Sequence, residues 1–309
     1  MIVLAVVVVG AIAFMFYSDK TKKSEQTAAM QALQEEAKPY EEERESLETE
    51  LADLEDGVFY ASEEAKTMVG FAVSEVSDLT YMEELAETYD FPPVLVLDCV
   101  MDLEDAEELI DAADADWEIM LYVSDFSEET NDSVLSVMDY METAARGYTG
   151  VFFLRNDFST DENIRLLKED GFTGYTVYNS DSPDAGQMDD GTVYFDYSYL
   201  STSGTSVGSR ISAMYRNKAA MIYVLDMESI NAGTLSKDYV TDLMDKLQEY
   251  AEYDDCSFST VADVVAELSQ INAIEEKNQT DYEERAAEME ERIDELSDMI
   301  HEIYSRMEY

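Results

Sequence analysis

Short apolar runs alternate with stretches of helical periodicity through the middle of the chain. Seven runs have the length and composition of buried strands, at 68–73, 94–98, 119–123, 151–154, 175–178, 192–196 and 221–225. Apolar residues at helical spacing separate most of these runs, at 80–89, 104–113, 132–145, 161–170 and 237–253. Repeated strand-then-helix order predicts a parallel sheet with right-handed crossovers, and seven such units over residues 59–272 predict an α/β fold, a seven-stranded (β/α) barrel. An open doubly wound sheet is the alternative, but no glycine-rich turn follows the first strand to support a nucleotide site.

Two segments that flank the barrel carry apolar residues at alternating spacings of three and four, the pattern of a coiled-coil seam. The N-terminal seam has Arg44 at its one polar position and comprises Met30, Leu33, Ala37, Tyr40, Leu47, Leu51, Leu54 and Val58. The C-terminal seam comprises Met289, Ile293, Leu296, Ile300, Ile303 and Met307. These seams predict coiled-coil helices at 24–57 and 273–309, and Pro39 predicts a break or kink in the first.

The two predicted helices are nearly equal in length, about 50–55 Å each at 1.5 Å per residue. An antiparallel hairpin within one chain is therefore the economical pairing. Acidic residues outnumber basic ones in both segments, but repulsion between exposed like charges costs only tenths of a kcal/mol per pair. Each buried Leu or Ile contributes about 1.5–3 kcal/mol, so the apolar seam is expected to prevail. A parallel homodimer, or helices that lie singly against the barrel, are the alternatives.

Residues 1–17 carry no charged side chain and predict a transmembrane anchor, rather than a buried core helix or a signal peptide. The segment is at the short end of what crosses a hydrocarbon core of about 30 Å, and no small-residue cleavage pattern follows it. Lys20, Lys22 and Lys23 come next, and they would place the rest of the chain in the cytoplasm if Met1 is the native start. A native segment before Met1 would change that bias, so the sequence leaves orientation open. The chain thus divides into an anchor at 1–17, a basic juxtamembrane segment and stalk at 18–58, the barrel at 59–272 and a C-terminal helix at 273–309.

Charge and cysteine content limit the partners and the compartment. The 71 acidic residues against 19 Lys and Arg give a formal net charge of −52, which excludes nucleic acid as a natural partner because phosphate binding requires Lys and Arg. Hydrophobic residues make up 46% of the chain, with 21 Tyr and 12 Phe, so the acidity does not indicate disorder. Cys99 and Cys256 are too few for a disulfide framework, and buried free thiols are expected rather than a bridge.

Two stretches of the barrel carry ordered motifs. Residues 150–158 (GVFFLRNDF) precede the helix at 161–170 and residues 171–181 (GFTGYTVYNSD). Residues 221–228 (MIYVLDME) precede the helix at 239–250 and residues 257–265 (SFSTVADVV). The first stretch resembles the Arg-x-Pro strand, helix and Gly-aromatic turn of the polysaccharide deacetylase (NodB-homology) family, and the second is similar to that family's closing Leu-His-Asp strand, helix and Phe-Thr strand. The resemblance implies a barrel whose metal is held by two histidines and an aspartate and which hydrolyses acetyl groups from polysaccharides.

Departures from the family's pattern imply a catalytically degenerate member. Where the family has an Asp-Asp pair after the first strand, this chain offers at best Glu75, and residues 122–130 contain no histidine where a two-histidine motif should follow the third strand. Arg155 is retained without the motif's proline, and Leu225 or Asp226 stands in place of the late catalytic histidine. The one histidine of the chain, His301, lies in the C-terminal helix, whereas zinc prefers nitrogen and sulfur ligands. The sequence therefore predicts no metal and no other cofactor.

Acidic residues at the predicted strand ends are the remaining candidates for chemistry, because sites in such barrels form where strands meet the following loops. They are Glu75, Asp98, Asp125, Asp157, Asp181, Asp196, Asp226 and Glu228, with Arg155 the one nearby cation. Solvated loop acids are the plain interpretation, and no loop has the spacing of a calcium site. The catalytic candidates are Glu75, Arg155, Asp226 and Glu228. Asp226 and Glu228 lie two apart on a predicted strand and would face the same way, as a glycoside hydrolase with two carboxylates requires.

Tyrosines cluster in and beside the fifth and sixth predicted strands, next to a loop at 201–209 that is expected to be a flexible lid or linker. The candidate substrate-binding residues are Tyr175, Tyr178, Tyr194, Tyr197 and Tyr199, since aromatic faces stack on sugar rings, although strand propensity alone also accounts for them. The sequence thus predicts a membrane-anchored, noncatalytic barrel on a coiled-coil stalk, which binds or scaffolds cell-envelope glycan at the extracytoplasmic face of a bacterial membrane. The alternatives are a coiled-coil protein that recruits a partner or dimerises, with the barrel as spacer, and a glycoside hydrolase.

Overall fold

The computed structural model describes residues 2–60, 62–124, 126, 130–179, 182–204, 207–253 and 256–306; the side chains of residues 2–26, 56 and 156 are not described. Contacts divide the chain into two units. One is Tyr60–Ile274, and the other combines Met1–Phe59 with Glu275–Tyr309.

Seven parallel strands of the unit Tyr60–Ile274 close into a barrel. The nine strands are β1 (Ala65–Val73), β2 (Pro93–Asp98), β3 (Glu118–Tyr122), β4 (Val151–Phe152), β5 (Gly174–Val177), β6 (Ala185–Gln187), β7 (Val193–Leu200), β8 (Ala220–Asp226) and β9 (Cys256–Phe258). Hydrogen-bonded neighbours run β2-β3-β4-β5-β7-β8-β1, and β1 also pairs with β2, which closes the ring. These seven strands are the ones that the apolar runs predict, so the (β/α) barrel is confirmed. Near-continuous apolar runs are typical of parallel strands covered on both faces.

The other two strands are additions that the sequence pattern does not reveal. β6 pairs antiparallel with β7, and β9 pairs with the first residues of β1, from Ala65 to Thr67. Each has only three residues. A run this short gives no alternation or apolar stretch to identify, because strand patterns need at least four residues.

Helices follow most of the barrel strands. They are α2 (Asp78–Tyr89), α3 (Leu103–Ala112), α4 (Asn131–Thr143), α5 (Asp161–Glu169), α6 (Gly208–Asn217), α7 (Met227–Ala232), α8 (Lys237–Ala251) and α9 (Val261–Leu268). Three begin at a hydroxyl side chain that accepts a backbone N–H of the first turn: Thr160 from Asn163, Ser236 from Tyr239 and Thr260 from Asp263. The five predicted helices are present within a few residues. The predicted loop at 201–209 begins where expected, after Leu200, and ends two residues early because α6 begins at Gly208; residues 205 and 206 lie outside the described residues.

The second unit contains α1 (Ile2–Asp56) and α10 (Ile271–Ser305), which lie antiparallel. Residue numbers decrease along the N-terminal segment as they increase along the C-terminal one. The hydrogen-bonded pairs are Gly57 with Asn278, Glu50 with Arg285, Glu43 with Arg292, Glu41 with Tyr304 and Glu36 with Arg306. Arg285 and Arg292 of α10, and Arg306 directly after it, each pair with a glutamate of α1, so part of the expected like-charge repulsion is offset. Ala37 and Leu296 are fully buried between the helices. The chain has the antiparallel pairing, while supercoiling as a coiled coil stays a prediction.

Of the predicted break or kink at Pro39, the break is wrong, since α1 continues through it without interruption, and the kink stays a prediction. A proline inside a helix removes one backbone hydrogen bond and crowds the preceding turn. Packing on the partner helix offsets this cost, as Ala37, two residues before the proline, is fully buried.

In the part of the chain whose side chains are described, no helix is long and apolar enough to cross a membrane. The predicted anchor at 1–17 lies outside those residues and stays a prediction. Cys99 and Cys256 are both buried, and no disulfide joins them.

The buried hydroxyl of Tyr89 ties α2 to α8 and makes stability depend on alkaline pH. It donates a hydrogen bond of 2.9 Å to Asp245, and burial together with this hydrogen bond raises the pKa of Tyr89 to about 12. An unfolded tyrosine loses its proton near pH 10. The folded state therefore keeps a proton that the unfolded state has lost, and the contribution of Tyr89 to stability is present below about pH 10 and disappears towards pH 12.

We expect the free energy of unfolding to fall as the pH rises from about 10 to about 12. Tyr89→Phe should reduce the slope of this free energy against pH. Denaturant titrations at stepped pH measure both quantities. An unchanged slope in Tyr89→Phe would contradict the assignment. Tyr253→Phe, at an exposed ring, is the matched control and should keep the wild-type slope.

Candidate functional site

Strand register decides which side chains face the inside of the barrel. A Cβ placed on Gly70 would lie 2.9 Å from Val96, 3.2 Å from Ile222 and 3.5 Å from Val224, so these four positions share the inner face. Because side chains alternate along a strand, Ala72, Asp98 and Asp226 face inward at the carboxyl ends of β1, β2 and β8. The pairing of Tyr197 with Ile222 and of Tyr199 with Val224 places both tyrosines on the same inner face.

A cavity of about 450 Å³ opens at this carboxyl end of the barrel. We call it the mouth cavity. Its lining comes from the ends of six strands and the loops that follow them: Ala72, Val73, Ser74, Asp98, Val100, Met101, Tyr122, Ser124, Arg155, Tyr199, Asp226 and Glu228. This is the face of a parallel barrel on which ligand sites form, since loops of different sequence converge there on a rigid scaffold.

Two carboxylates of the mouth cavity are held by hydrogen bonds. Asp98 accepts the backbone N–H groups of Val100 at 3.0 Å and Ser124 at 3.3 Å with one oxygen, Oδ1. Asp226 Oδ2 accepts the hydroxyl of Ser229 at 2.6 Å, and the carboxylate is also hydrogen-bonded to Tyr199. Both carboxylates are half-buried, so they are fixed in place yet reach the cavity.

The expectation that Asp226 and Glu228 lie on one strand is wrong. β8 ends at Asp226, which is the N-cap residue of α7, and Glu228 belongs to the first turn of that helix. The strand stops there because Ser229 and Met227 take helical positions, which turns the chain away from the sheet direction. Both carboxylates still line the mouth cavity, but the two-residue strand spacing does not relate them.

Two tyrosine hydroxyls face the mouth cavity and differ in their partners. Burial is the main cause of a pKa raised well above the ordinary range in Tyr122 and Tyr199; Asp98 and Asp226 raise it further, and Arg155 opposes them. The Tyr199 hydroxyl is hydrogen-bonded to Asp226. Tyr122 is only 9% exposed, and its hydroxyl has no hydrogen-bond partner among the described residues. A buried phenol that lacks a partner and borders a cavity is a donor available to a ligand.

Arg155 supplies the positive charge of the mouth cavity. Its guanidinium lies over the ring of Tyr199, 5.2 Å from the ring centroid, which is a cation–π distance. No ion pair joins it to a carboxylate in the described part of the chain. Its N–H donors are therefore held near Tyr199 and face the cavity.

Three of the four predicted catalytic candidates, Arg155, Asp226 and Glu228, line the mouth cavity, and Glu75 does not. Glu75 is exposed in the loop after β1, where it accepts a hydrogen bond from the Ser77 hydroxyl. The loop instead turns around Asp78, which is 3% exposed and accepts the side-chain N–H of Asn231 at 2.7 Å. Ser74, not Glu75, reaches the cavity wall.

The five predicted substrate-binding tyrosines are divided between different surfaces. Tyr199 alone lines the mouth cavity, while Tyr175 and Tyr194 line a separate groove beside α5, on the outer face of the barrel. Tyr197 faces inward but is 6% exposed and packs on Phe153. Tyr178 is 43% exposed and lies beneath the guanidinium of Arg210. The expected single glycan-binding cluster is therefore not formed, because adjacent residues of a strand face opposite sides of the sheet.

Asp196 and Asp157, the other two strand-end acids that the structure describes, do not line the cavity. Asp196 lies on the outer face of β7, fully buried and paired with Arg210. Asp157 is exposed in a short 3-10 turn at Asn156–Phe158. Asp125 and Asp181 lie outside the described residues.

The residues of the barrel do not fit a zinc centre of the kind that the deacetylase resemblance implies. Residues 60–274 contain no histidine, and the described residues form no group of three or more His, Cys, Asp or Glu side chains that could hold a metal ion. Cys99 is buried against Asp98, and burial raises the pKa of its thiol, which disfavours the thiolate that a metal would bind.

Comparison with known proteins finds similarity to solved structures alone. No protein-family model and no curated protein matches the sequence. Among solved structures, the chain is similar to a protein from Mycobacterium smegmatis assigned as a polysaccharide deacetylase, with a TM-score of 0.46 and 10% identity over 68% of this chain and 92% of that one. It is also similar to Puue allantoinase, with a TM-score of 0.46 and 10% identity over 67% of this chain and 91% of that one. A third neighbour is a mutant of a CE4-family pseudoenzyme with restored enzymatic activity, with a TM-score of 0.39 and 10% identity over 66% and 68%.

These structural neighbours include polysaccharide deacetylases at low sequence identity. The similarity carries no argument about reaction, substrate or membrane association. The closed barrel itself rests on the strand pairing, and the site rests on the residues of the mouth cavity.

Proposed function

We propose that the mouth cavity is a noncatalytic binding site for a carbohydrate of the cell envelope. The observation that carries the proposal is the set of side chains that meet there: the carboxylates of Asp98 and Asp226, the hydroxyl of Tyr122, the guanidinium of Arg155 and the ring of Tyr199. Sugars present many hydroxyls that both donate and accept, and this lining offers fixed acceptors, a free donor and an aromatic wall. The volume of about 450 Å³ is in the range of small-molecule sites.

The side chains of the barrel favour sugar binding over hydrolysis. Deacetylation in the family that the sequence resembles requires a metal held by histidines, and residues 60–274 contain none. Glycoside hydrolysis would need two carboxylates free to exchange protons. Of the candidate pair Asp226 and Glu228, Asp226 is instead held by hydrogen bonds to Ser229 and Tyr199.

The helical unit completes the proposal as a stalk. α1 pairs with the C-terminal helical segment from Glu36 onward, and the uncharged segment at 1–17 would anchor the chain in a bacterial membrane with the barrel on the extracytoplasmic side. A stalked barrel with a sugar-binding site would hold glycan at a fixed place relative to the membrane. Recruitment of a protein partner through the stalk, with the barrel as spacer, is the alternative role.

The first test is sedimentation of the full chain with bacterial peptidoglycan, in the presence and absence of soluble peptidoglycan fragments as competitor. We expect the protein to pellet and the competitor to release it. Tyr122→Phe removes only the free hydroxyl, so it should leave the melting temperature unchanged and weaken binding about three- to tenfold, the value of roughly one hydrogen bond.

Tyr175→Phe is the matched control, because it removes a hydroxyl of the outer groove, and it should bind as wild type. Loss of binding in Tyr175→Phe with none in Tyr122→Phe would move the site to the outer groove. No competable pelleting by the wild-type chain would refute glycan binding and favour the stalk as the functional part. New reducing ends that disappear in Glu228→Gln would show a glycoside hydrolase instead.

A further inference from the structure

The charges that line the mouth cavity are unequal. Asp98, Asp226 and Glu228 supply three carboxylates, and Arg155 supplies the one cationic side chain among the lining residues. When most charges on the walls of a cleft have the same sign, the electrostatic potential is strongest inside the cleft. The excess of carboxylates here therefore adds a local negative potential to that of the acidic chain as a whole. The cavity should therefore favour a ligand that carries positive charge.

The positions of the charged groups support this conclusion. Asp98 has its Oδ1 occupied by two backbone N–H groups, and no hydrogen bond to Oδ2 is formed by the described residues. Glu228 is exposed, and the described side chains give it no ion-pair partner. Two of the three carboxylates thus keep acceptor capacity for a ligand. A protonated amine, which has three donors and a compact charge, is the complementary group.

The hydrogen-bond donors of the cavity indicate that the ligand carries acceptor atoms in addition to an amine. Tyr122 is 9% exposed, lines the cavity, and its hydroxyl has no partner among the described residues, so the hydroxyl can donate to a ligand atom that accepts. Arg155 offers further donors beside the ring of Tyr199. Ring and hydroxyl oxygens of a sugar would accept these hydrogen bonds, and the face of the sugar would lie on the aromatic wall.

We propose that the mouth cavity selects amino sugars with a free, protonated amine over the same sugars in N-acetylated form. The inference rests on the proposed function, since it names the class of saccharide that the same site takes. N-acetylation removes the charge of the amine and adds bulk, so it removes the attraction to Asp98, Asp226 and Glu228.

The experiment is calorimetric titration of the full chain with four probes at the same ionic strength: the glucosamine disaccharide, its di-N-acetylated form, glucuronic acid and ethanolamine. We expect the glucosamine disaccharide to bind at least tenfold more tightly than the acetylated form, and glucuronic acid and ethanolamine to bind no more tightly than the acetylated form. Raising the pH through the pKa of the sugar amine should weaken binding of the glucosamine disaccharide and leave the acetylated disaccharide unaffected.

Matched variants separate the cavity from the bulk charge of the chain. Glu228→Gln removes an exposed cavity carboxylate and should weaken glucosamine binding about threefold without change in the melting temperature. Glu249→Gln removes the same charge from the exposed surface of α8 and should have no effect. Equal effects of the two variants, or ethanolamine binding as tight as that of glucosamine, would overturn the proposal in favour of general charge attraction.

The remaining outcomes distinguish the two proposals. Equal or tighter binding of the acetylated disaccharide would overturn selection for amines while the site remains a sugar site. Tight binding of glucuronic acid would show that Arg155 dominates and would overturn it too. No binding of any saccharide would overturn the proposed function and this inference together.

Discussion

Replacing Arg210 with Ala is expected to lower the free energy of unfolding by about 3 to 5 kcal/mol, the cost of leaving a buried charge without its partner. Asp196 on β7 is fully buried, and its ion pair with Arg210 of α6, itself 12% exposed, is within hydrogen-bond contact. The guanidinium also donates to the backbone carbonyls of Asn179 at 2.6 Å and Tyr197 at 3.0 Å, and to the hydroxyl of Ser198 at 3.1 Å. One side chain thus joins β7, α6 and the loop after β5. Denaturant unfolding of the full chain, followed by tyrosine fluorescence, measures the loss.

The pH dependence of this loss identifies its cause. Burial raises the pKa of Asp196, and Arg210 is the largest of the influences that oppose burial. Without Arg210 the carboxyl of the folded state should take up a proton at higher pH than the unfolded one, whose pKa is near 4. Lowering the pH towards 4 should therefore restore part of the lost stability in Arg210→Ala.

Two further variants test the same explanation. Combining Arg210→Met with Asp196→Asn removes both charges and should be more stable than Arg210→Ala. Arg165→Ala, at a 50% exposed arginine paired with Glu162 and Glu169, should leave the free energy of unfolding close to that of the wild type, because exposed ion pairs contribute little. An equal loss in Arg165→Ala, or a loss in Arg210→Ala that does not change with pH, would mean that the burial of Asp196 is not the cause.

The barrel was predictable because its strands are buried on both faces. Each of the seven runs is apolar almost without interruption, so its identity does not depend on knowing which face is inward. For the same reason, the sequence does not show which residues of each strand face the inside of the barrel. The predicted strand at 192–196 stops one residue before Tyr197, whereas β7 continues to Leu200. From the shorter strand nothing indicates that Tyr194 faces outward and that Tyr199 faces the mouth cavity.

The candidate site was predictable in part, for a reason that belongs to the fold. Carboxyl ends of parallel strands converge, so acids at the ends of β2 and β8 are expected to meet, and Asp98 and Asp226 both line the cavity. Glu75 fails this rule because it lies two residues beyond the end of β1, where Asp78 organises the turn. Tyr122 was missed as a site residue because it ends an apolar strand and resembles core; its parity with Asp98 on β2 is the signal that could have identified it.

The sequence pattern does not reveal contacts between residues that are far apart in the chain. Asp196 looked like another strand-end acid, and only its proximity to Arg210, in a helix that the sequence did not predict, shows that it is structural. A contact between distant residues also decides the structure around Pro39 in α1. Its intrinsic cost was foreseen, and packing between α1 and α10 overrides it.

Phe153 supports the mouth cavity from below, in the interior of the barrel. It is 1% exposed, and its ring packs edge-on against Tyr122 at 5.8 Å and Tyr197 at 5.0 Å, and stacks on Tyr199 at 6.0 Å. The two tyrosines that line the cavity thus share one aromatic support. Their hydroxyls are held at the cavity wall only while that ring fills the space beneath them.

Phe153→Ala is expected to lower the free energy of unfolding by about 3 to 5 kcal/mol, the usual cost of emptying a buried aromatic site, and to reduce saccharide binding at least tenfold in the molecules that remain folded. Phe152→Ala is the matched control: it is also 1% exposed but packs on Phe126 and Phe172 on the outer face. It should cost similar stability and leave affinity within twofold. Thermal melting gives the first quantity, and titration well below the melting temperature gives the second. Equal losses of affinity in both variants would show that binding depends on general stability and that the aromatic support of Tyr122 and Tyr199 has no specific role.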